Sequence, residues 1–184
     1  MAKLNCFMFI SLDGYYKGPE EDTSWHKHGE EEGQFSADSL GAEHTLVFGR
    51  VTYEMMAGFW TLPMAFESMP EVAAGMNKAA KIVFSKTLDK ADWQNTRLIK
   101  TDMITAMKKL KEESPNDMTI LGSGTILTQF ADAGLVDGYQ VMVDPVAIGN
   151  GTPLFHGLKK KLALRLISTR SFKSGVVLHS YEPE

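Results

Sequence analysis

Short apolar runs alternate with longer polar or amphipathic segments over about the first 135 residues of the chain. The apolar runs have the length and the turn-forming boundaries of buried strands. The strands predicted in this part are residues 4–10, 45–49, 81–85, 96–100 and 118–121. The segments between them predict five helices. Two lie at about residues 30–43 and 66–80, and a third begins at Thr52 as N-cap. The other two begin after Asp102 as N-cap and after Gly124, and the last extends as far as Ala133.

The pattern then changes, and strand-like runs follow one another without a helix between them. These runs are residues 139–148, 162–168 and 176–181, with a turn at 173–175 between the last two. Alternating strands and helices are typical of a mostly parallel sheet covered on both faces, and the terminal pair of strands predicts an antiparallel edge. No repeat, low-complexity segment or linker divides the chain, so we predict one α/β domain over residues 1–184.

Composition and charge narrow the class of protein. With 184 residues, 43% hydrophobic and 23% charged, the chain has ordinary globular composition and can bury close to ~70% of its unfolded surface. No apolar run approaches the ~20 residues of a membrane span, and the N-terminus lacks the features of a signal peptide. A net charge of −4 argues against a nucleic-acid-binding protein. The single cysteine, Cys6, excludes an internal disulfide and favours a reducing, cytoplasmic location.

Two of the predicted strand ends carry glycines immediately before a helix. The first turn is Gly49-Arg50, and the second is Gly122-Ser123-Gly124. In open α/β sheets ligands bind beyond the carboxyl ends of the strands, and a helix N-terminus offers free N–H groups to an anion. Two such helix starts aimed at one place suit a pyrophosphate, and Arg50 can add a bidentate grip on phosphate.

Neither turn completes a known nucleotide-binding motif. Leu127 occupies the third glycine position of G-x-G-x-x-G, and the phosphate-loop motif G-x-x-x-x-G-K-[ST] is absent. The alternative interpretation is that these glycines only make tight turns. A third strand end, Ser85-Lys86, carries a hydroxyl and a cation where an NAD site normally has an acid, which suits the 2′-phosphate of NADP. A solvated loop lysine is the simpler alternative for Lys86.

Taken together, the motifs resemble those of the dihydrofolate reductase-like superfamily. They are Ser11-Leu12-Asp13-Gly14, Gly49-Arg50 with Thr52-Tyr53-Glu54, Ile82-Val83-Phe84-Ser85, Gly122-Ser123-Gly124-Thr125, and the stretch from Asp137 and Tyr139 through Pro145-Val146 and Gly149 to Pro153-Leu154-Phe155. More closely, the chain is similar to the reductase (C-terminal) domain of the bacterial bifunctional riboflavin-biosynthesis deaminase/reductase and its free-standing relatives. The likeness covers nearly the whole chain, as far as Gly175-Val176-Val177-Leu178.

The resemblance implies a three-layer α/β/α dihydrofolate reductase-like fold that binds NADPH. In that family the pyrophosphate lies between the two glycine turns, and the 2′-phosphate sits near the arginine and the serine strand end. The implied cofactor residues are Gly49, Arg50, Thr52, Ser85, Lys86, Gly122, Ser123, Gly124, Thr125 and Ile126. The resemblance also implies a small-molecule substrate and a homodimer, to which the strand from Tyr139 and the following loop at 149–151 would supply an edge surface.

Hydride transfer to a C=N or C=O bond leaves a nitrogen or oxygen that needs a proton. Dihydrofolate reductases place a Trp, then a carboxylate on the next helix, then a Phe one turn later. Trp25, Glu31 and Phe35 have this order, which makes Glu31 the candidate acid and the two aromatic residues candidate substrate contacts. The alternative is that the three glutamates at 30–32 form a solvated acidic first turn of a helix.

Asp13 is the second catalytic candidate, because substrate and nicotinamide meet beside the first strand in this family. A turn-forming Asp-Gly pair is the alternative. His26 and His28 lie near Asp22 and Glu30, but two histidines in a polar loop more often remain solvated, so no metal site is predicted.

The resemblance implies an NADPH-dependent reductase of a pyrimidine- or pteridine-like compound. By resemblance it is most like the 5-amino-6-(5-phosphoribosylamino)uracil reductase of riboflavin biosynthesis. Dihydrofolate reductase proper is one alternative, although the chain lacks its Leu-Pro-Trp segment. A non-catalytic NADPH- or ligand-binding protein on the same fold is another. The deaminase half of the bifunctional enzyme needs a His/Cys/Cys zinc site, which a chain with one cysteine lacks.

Overall fold

The computed structural model describes residues 1–27, 29–41 and 43–184. The strands in these ranges are β1 (Leu4–Ser11), β2 (Tyr15–Lys17), β3 (Thr45–Gly49), β4 (Ala80–Phe84), β5 (Thr96–Ile99), β6 (Met118–Leu121), β7 (Gly138–Asp144), β8 (Thr152–Pro153), β9 (Leu164–Ser171) and β10 (Val177–Pro183). The helices are α1 (Glu30–Gly41), α2 (Arg50–Trp60), α3 (Pro63–Ser68), α4 (Pro70–Lys78), α5 (Met103–Glu113) and α6 (Gly124–Asp132). None of the described helices is long and apolar enough to cross a membrane.

Eight of the described strands form one sheet, in the order β5-β4-β3-β6-β1-β7-β10-β9. All pairs from β5 to β7 are parallel, whereas β10 runs antiparallel to both β7 and β9. The predicted mostly parallel sheet with an antiparallel C-terminal pair is therefore confirmed. A second, small antiparallel pair joins β2 to β8, and no alternation of apolar residues in the sequence indicates it.

Two predicted helix starts differ from the structure. Helix α2 begins at Arg50 with Gly49 as N-cap, so Thr52 lies within the first turn and is not the cap. The segment 66–80 contributes to two helices, because Pro70 begins α4 and cannot continue the preceding helix. In both places a glycine or a proline sets where the helix begins. The predicted cap at Asp102 is confirmed, since its side chain accepts the N–H of Thr105 at 2.8 Å.

Strand β7 lies inside the sheet, between β1 and β10. The expectation that the Tyr139 strand offers an edge surface to a dimer is therefore wrong. Strand β7 also ends at Asp144, before the predicted end at residue 148, because Pro145 has no N–H to add to the ladder. The two edge strands of the described sheet are β5 and β9.

Side chains that alternate along the central strands divide the core between the two faces of the sheet. On one face, Leu4, Cys6 and Met8 of β1 are buried in a cluster with residues of α5 and α6. On the other face, Leu46 and Phe48 of β3 pack with residues of α2 and α4. The layers are therefore helix, sheet and helix, which confirms the predicted three-layer fold.

A buried cation ties α5 to the start of the central strand. Lys111 is 7% exposed, and its ammonium donates to the Leu135 carbonyl at 2.7 Å and to the carboxylate of Asp137. The same Asp137 oxygen accepts the N–H of Leu4 at 2.7 Å. The carboxylate therefore fixes the beginning of β1, whose other end reaches the candidate site.

Replacing Asp137 with Ala should lower the free energy of unfolding by about 2 kcal/mol, because it leaves a buried ammonium without its counter-charge. Denaturant unfolding at neutral pH measures the change. Glu113→Ala is the matched control, since its ion pair with Lys109 is exposed on both sides and should contribute less than about 0.5 kcal/mol. Equal losses in the two variants would contradict this role of Asp137.

Candidate active site

The strand ends that carry the predicted cofactor residues are neighbours in the sheet. Strands β4, β3 and β6 lie side by side and end at Phe84, Gly49 and Leu121. Gly49 and Phe84 are register partners, so Arg50 and Ser85 leave the sheet at the same level. The structure therefore brings the three predicted turns together at the carboxyl ends of the parallel strands.

The two glycine turns are joined by a direct hydrogen bond. The N–H of Gly49 donates to Ser123 Oγ at 2.9 Å, and this hydroxyl donates to the Leu121 carbonyl at 3.0 Å. Gly122 has a φ of +62°, in the left-handed region that favours glycine, and a Cβ there would lie 3.2 Å from Cγ2 of Thr52. The two turns therefore pack as one unit, with Thr52 against Gly122.

The helices that begin at these turns have open N-termini. Among the described residues, no side chain caps α2 or α6, and neither first turn contains an acidic residue. Uncapped N–H groups and the helix dipole together attract an anion. A Cβ on Gly49 would meet Ile126 at 3.4 Å, which makes Ile126 a packing residue, whereas Thr125 is exposed. This arrangement fits a pyrophosphate held by backbone N–H groups.

Cationic side chains flank the ends of β3 and β4. Arg50 and Lys86 are both exposed, and Arg50 forms an ion pair with Glu54 at 2.8 Å. Ser85 Oγ accepts the N–H of Leu88 at 3.0 Å and so shapes the turn after β4. An incoming phosphate would compete with Glu54 for the guanidinium, and Lys86 would add a second positive charge.

The ring of Tyr16 packs against Gly124 at the start of α6. A Cβ on Gly124 would come within 2.6 Å of Tyr16 Cζ, so the contact depends on glycine at this position. Tyr16 lies in β2, whose pairing with β8 holds it there. No local sequence pattern signals the β2–β8 pair, so this contact could not be predicted.

Asp13 is hydrogen-bonded to the loop that follows β7. Its carboxylate accepts a hydrogen bond from Ser11 Oγ at 2.6 Å, and the N–H groups of Ile148 and Gly149 donate to it at 3.2 and 2.8 Å. The Ser11 hydroxyl, with these N–H groups, holds the pKa of Asp13 below its ordinary value. The side chain is therefore ionised at neutral pH and anchors a loop, which is close to the turn-forming alternative. Its part in catalysis stays a prediction.

Glu31 is hydrogen-bonded to the turn between β9 and β10. Its carboxylate accepts the N–H of Lys173 at 3.0 Å and lies 3.3 Å from the Lys173 ammonium. The backbone N–H first, and then the lysine side chain, hold the pKa of Glu31 below its ordinary value, which opposes a role as proton donor. Glu32 is the buried glutamate of the three, 4% exposed and hydrogen-bonded to Ser174. The assignment of Glu31 as the acid stays a prediction.

A row of aromatic side chains lies between α1 and the sheet. The ring centroids of Phe7 and Phe9 are 5.2 Å apart, and Phe35 lies 5.8 Å from Phe7 and 6.2 Å from Phe172. The guanidinium of Arg170, which is exposed, lies 4.7 Å from the Phe172 ring. Phe7, Phe9 and Phe35 are half-buried. The predicted substrate contact Phe35 therefore belongs to a half-buried aromatic row with a cation beside it.

The row ends in a buried imidazole–carboxylate pair. His26 Nδ1 lies 2.7 Å from Asp144 Oδ2, and the N–H of Lys27 donates to Asp144 Oδ1 at 2.9 Å. The His26 ring stacks on Phe9 with centroids 3.7 Å apart and 14° between the planes, and Trp25 meets it edge-on at 6.3 Å. The side chain of His26 is 3% exposed and that of Asp144 is fully buried. The expectation that His26 is solvated is therefore wrong.

In the sequence, the only sign of this pair is that a charged residue, Asp144, stands at the end of an apolar strand. Within the described residues no group of three or more His, Cys, Asp and Glu side chains could hold a metal. His28, the second histidine of the loop, lies outside the described residues. The expected absence of a metal stays a prediction.

Gly122→Ala should destabilise the protein more than Gly134→Ala, although the two glycines have similar φ angles of +62° and +65°. Backbone strain costs each variant about 1–2 kcal/mol. The contact with Thr52 adds to it only at Gly122, because a Cβ at Gly134 meets nothing within 4 Å. Thr52→Ser removes the methyl group and should return the double variant to the level of Gly134→Ala. Thermal and denaturant unfolding measure each variant, and absence of this rescue would refute the packing of the two turns.

Comparison with known proteins places these features in a family. The family model of the RibD C-terminal domain matches residues 2–178. The uncharacterized protein YyaP of Bacillus subtilis (strain 168) is 28% identical over 168 residues, which cover 91% of this chain and 88% of YyaP. The uncharacterized protein YwjB of the same organism is 26% identical over 174 residues, which cover 94% of each chain.

Solved structures share the fold at lower identity. A Shewanella sp. PV-4 protein named for riboflavin biosynthesis has a TM-score of 0.77 and 19% identity, with 100% of this chain and 99% of that chain covered. The Thermotoga maritima diaminohydroxyphosphoribosylaminopyrimidine deaminase/5-amino-6-(5-phosphoribosylamino)uracil reductase has a TM-score of 0.70 and 14% identity, and this chain covers 57% of it. The family model, which matches nearly the whole chain, agrees with the resemblance found in the motifs. The chain belongs to the RibD C-terminal domain family.

Proposed function

We propose that the protein is an NADPH-dependent reductase of a pyrimidine- or pteridine-like small molecule, most like the 5-amino-6-(5-phosphoribosylamino)uracil reductase of riboflavin biosynthesis. Family membership supports a reductase, and the cofactor and the substrate are the proposed part. The observation that carries the proposal is the pair of uncapped helix N-termini joined by the hydrogen bond between Gly49 and Ser123.

The residues of the two turns fit the cofactor without a nucleotide-binding motif. Backbone N–H groups at the starts of α2 and α6 would hold the pyrophosphate, and Thr52 keeps the two turns in contact. Arg50, Lys86 and Ser85 would hold the 2′-phosphate. Bound NADPH would supply a hydride, and the protein would supply orientation and a proton.

The row of aromatic side chains supports the proposal that the substrate is planar. Phe7, Phe9 and Phe35 offer half-buried faces and edges on which a heterocycle can stack. Arg170, exposed beside them, would attract an anionic substituent. A phosphoribosyl-substituted pyrimidine and dihydrofolate both combine a flat ring with an anionic group, so dihydrofolate is the alternative substrate. A non-catalytic binding protein would keep the cofactor site and lack turnover.

The remaining expectations belong to the same proposal. Trp25 and Phe35 would contact the substrate, and Asp13 and Glu31 are the carboxylates that the sequence predicts near the chemistry. Their lowered pKa values make both of them poor acids at neutral pH. The protein would act in the cytoplasm on a small molecule, without a nucleic-acid or membrane partner.

The protein should bind NADPH at least ~10-fold more tightly than NADH, because a charge-assisted phosphate contact is worth about 1.5–3 kcal/mol. Arg50→Ala should remove most of this preference by weakening NADPH binding alone. Nicotinamide fluorescence measures both dissociation constants. Arg165→Ala is the control, since Arg165 pairs with Glu182 on the last two strands. Equal dissociation constants in the wild-type protein would refute the assignment of the 2′-phosphate site.

Turnover distinguishes the three candidate functions. NADPH oxidation is followed with the phosphoribosylamino-uracil of riboflavin synthesis, dihydrofolate and dihydrobiopterin as substrates. The proposed function requires oxidation with the phosphoribosylamino-uracil or with dihydrobiopterin, and oxidation only with dihydrofolate would support the alternative reductase. Tight NADPH binding without any turnover would support a binding protein.

We further propose a homodimer in which the copies meet along β9. This strand is an edge of the sheet, and seven of its eight residues are exposed. Leu166 and Ile167 lie on it with 52% and 53% of their surface exposed. An unpaired strand edge with exposed apolar side chains favours pairing with another copy, and a two-fold dimer is the commonest arrangement.

Light scattering at micromolar concentration should give about twice the chain mass of 20.4 kDa. Ile167→Lys should shift the protein to the monomer by placing a charge at the contact. Met64→Lys, at a residue of α3 that is 56% exposed, is the matched control and should leave the mass unchanged. A wild-type mass near 20.4 kDa would show that the protein is a monomer.

A further inference from the structure

We propose that His26 donates the proton in the reduction and that Asp144 is its positioning residue, an inference that rests on the proposed reductase function. The pair lies where β1 and β7 end, since Asp144 is the register partner of Ser11. It also adjoins the aromatic row, because the imidazole stacks on Phe9. The pair therefore lies beside the aromatic row, at the carboxyl ends of β1 and β7.

Asp144 holds the imidazole in one orientation. Its Oδ2 lies 2.7 Å from His26 Nδ1, and its Oδ1 accepts the N–H of Lys27 at 2.9 Å, so one carboxylate fixes both the ring and the loop backbone. A carboxylate at this distance keeps a proton on Nδ1, and in the proposed step the proton passes to the substrate from Nε2. Asp144 is fully buried and acts only through the imidazole.

Phe9 sets the plane of the imidazole. The two rings are nearly parallel, 14° apart, with centroids separated by 3.7 Å. From Phe9 the row continues through Phe7 to Phe35, and these three residues are half-buried. A planar substrate bound against this row would lie near the imidazole.

The reduction needs one proton for each hydride. When the carbon of a C=N or C=O bond gains a hydride, the electron pair of the π bond moves to the nitrogen or oxygen, which then takes a proton. His26 gives this proton from Nε2 in its imidazolium state and becomes the neutral imidazole, still hydrogen-bonded to Asp144. Solvent returns the proton after product release. The hydride, with its two electrons, comes from NADPH, the reductant of the proposed function.

The other carboxylates near these strand ends are less suited than His26 to donating the proton. Asp13 and Glu31 accept backbone N–H groups at 2.8 and 3.0 Å, which stabilises their ionised forms. An ionised carboxylate has no proton to give, whereas imidazole is the side chain that commonly exchanges protons near neutral pH. The structure thus separates the residues that fix loops from the residue that transfers the proton.

Single substitutions in the NADPH-loaded protein test the proposal. His26→Gln should lower kcat by ~10²–10⁴-fold, while the substrate KM and the NADPH dissociation constant change by less than about threefold. Asp144→Asn, which favours the wrong imidazole tautomer, should also lower kcat with little change in KM. His156→Gln, in the exposed turn after β8, is the matched histidine control and should keep the wild-type kcat.

Nitrogen NMR of the histidine rings provides a readout that does not depend on turnover. In the wild-type protein the His26 ring should carry a proton on Nδ1, and Asp144→Asn should remove that signal. Addition of the pyrimidine substrate without cofactor should shift the Nε2 signal of His26 and leave the signals of His156 in place. An unshifted Nε2 signal in the presence of saturating substrate would contradict contact between His26 and the substrate.

His26→Ala covers the case in which the glutamine variant does not fold. Removing the ring leaves space beside Phe9, and free imidazole added to this variant should restore kcat in proportion to its concentration. A purely structural role of His26 would not produce this rescue, because free imidazole cannot tether the loop to Asp144.

Failure of this proposal and failure of the proposed function give different results. Full kcat in His26→Gln, or a loss of kcat confined to Glu31→Gln, overturns the role of His26 and leaves the reductase function standing. Absence of NADPH oxidation by the wild-type protein with all three candidate substrates overturns both.

Discussion

The arrangement of the site depends on the buried carboxylate of Asp144. A charged group without exposed surface is tolerated only where its oxygens accept hydrogen bonds, and here both donors, His26 and Lys27, come from the loop that precedes α1. The loop is therefore fixed across the ends of β1 and β7. Because α1 begins only a few residues later, the same constraint places Phe35 over the sheet and Glu31 beside the turn between β9 and β10.

The cofactor half of the site could be predicted from sequence because it is made of backbone. Glycines at the ends of apolar runs signal tight turns, and alternation of strands with helices brings those turns to one edge of a parallel sheet. The link between Ser123 Oγ and the N–H of Gly49 could not be predicted in this way, since it depends on a side-chain rotamer and on two turns meeting in space. Thr52 shows the same limit, because a residue that looks like an N-cap instead packs against Gly122.

The substrate half resisted prediction because its contacts join residues far apart in the chain. His26 and Asp144 are 118 residues apart, and Glu31 and Lys173 are 142 apart, so no local spacing links either pair. Each residue also has an ordinary local explanation, such as a polar loop or an acidic first helical turn. Helical periodicity places residues 31 and 35 on one face, yet it does not show that Glu32 is the buried glutamate, which only the packing of Ser174 decides.

Three carboxylates near the carboxyl ends of the parallel strands each hold one loop in place. Asp13 accepts N–H groups of the loop after β7, Glu31 accepts one from the turn before β10, and Asp144 accepts one from the loop before α1. For Asp13 and Glu31 the donors stabilise the ionised form and hold the pKa of each carboxyl below its ordinary value. These two carboxylates are thereby made poor acids. Under the proposal, the proton donor is a side chain held through one atom while it exchanges a proton through another. Imidazole has the two separate nitrogens that this requires, and Asp144 holds it at Nδ1.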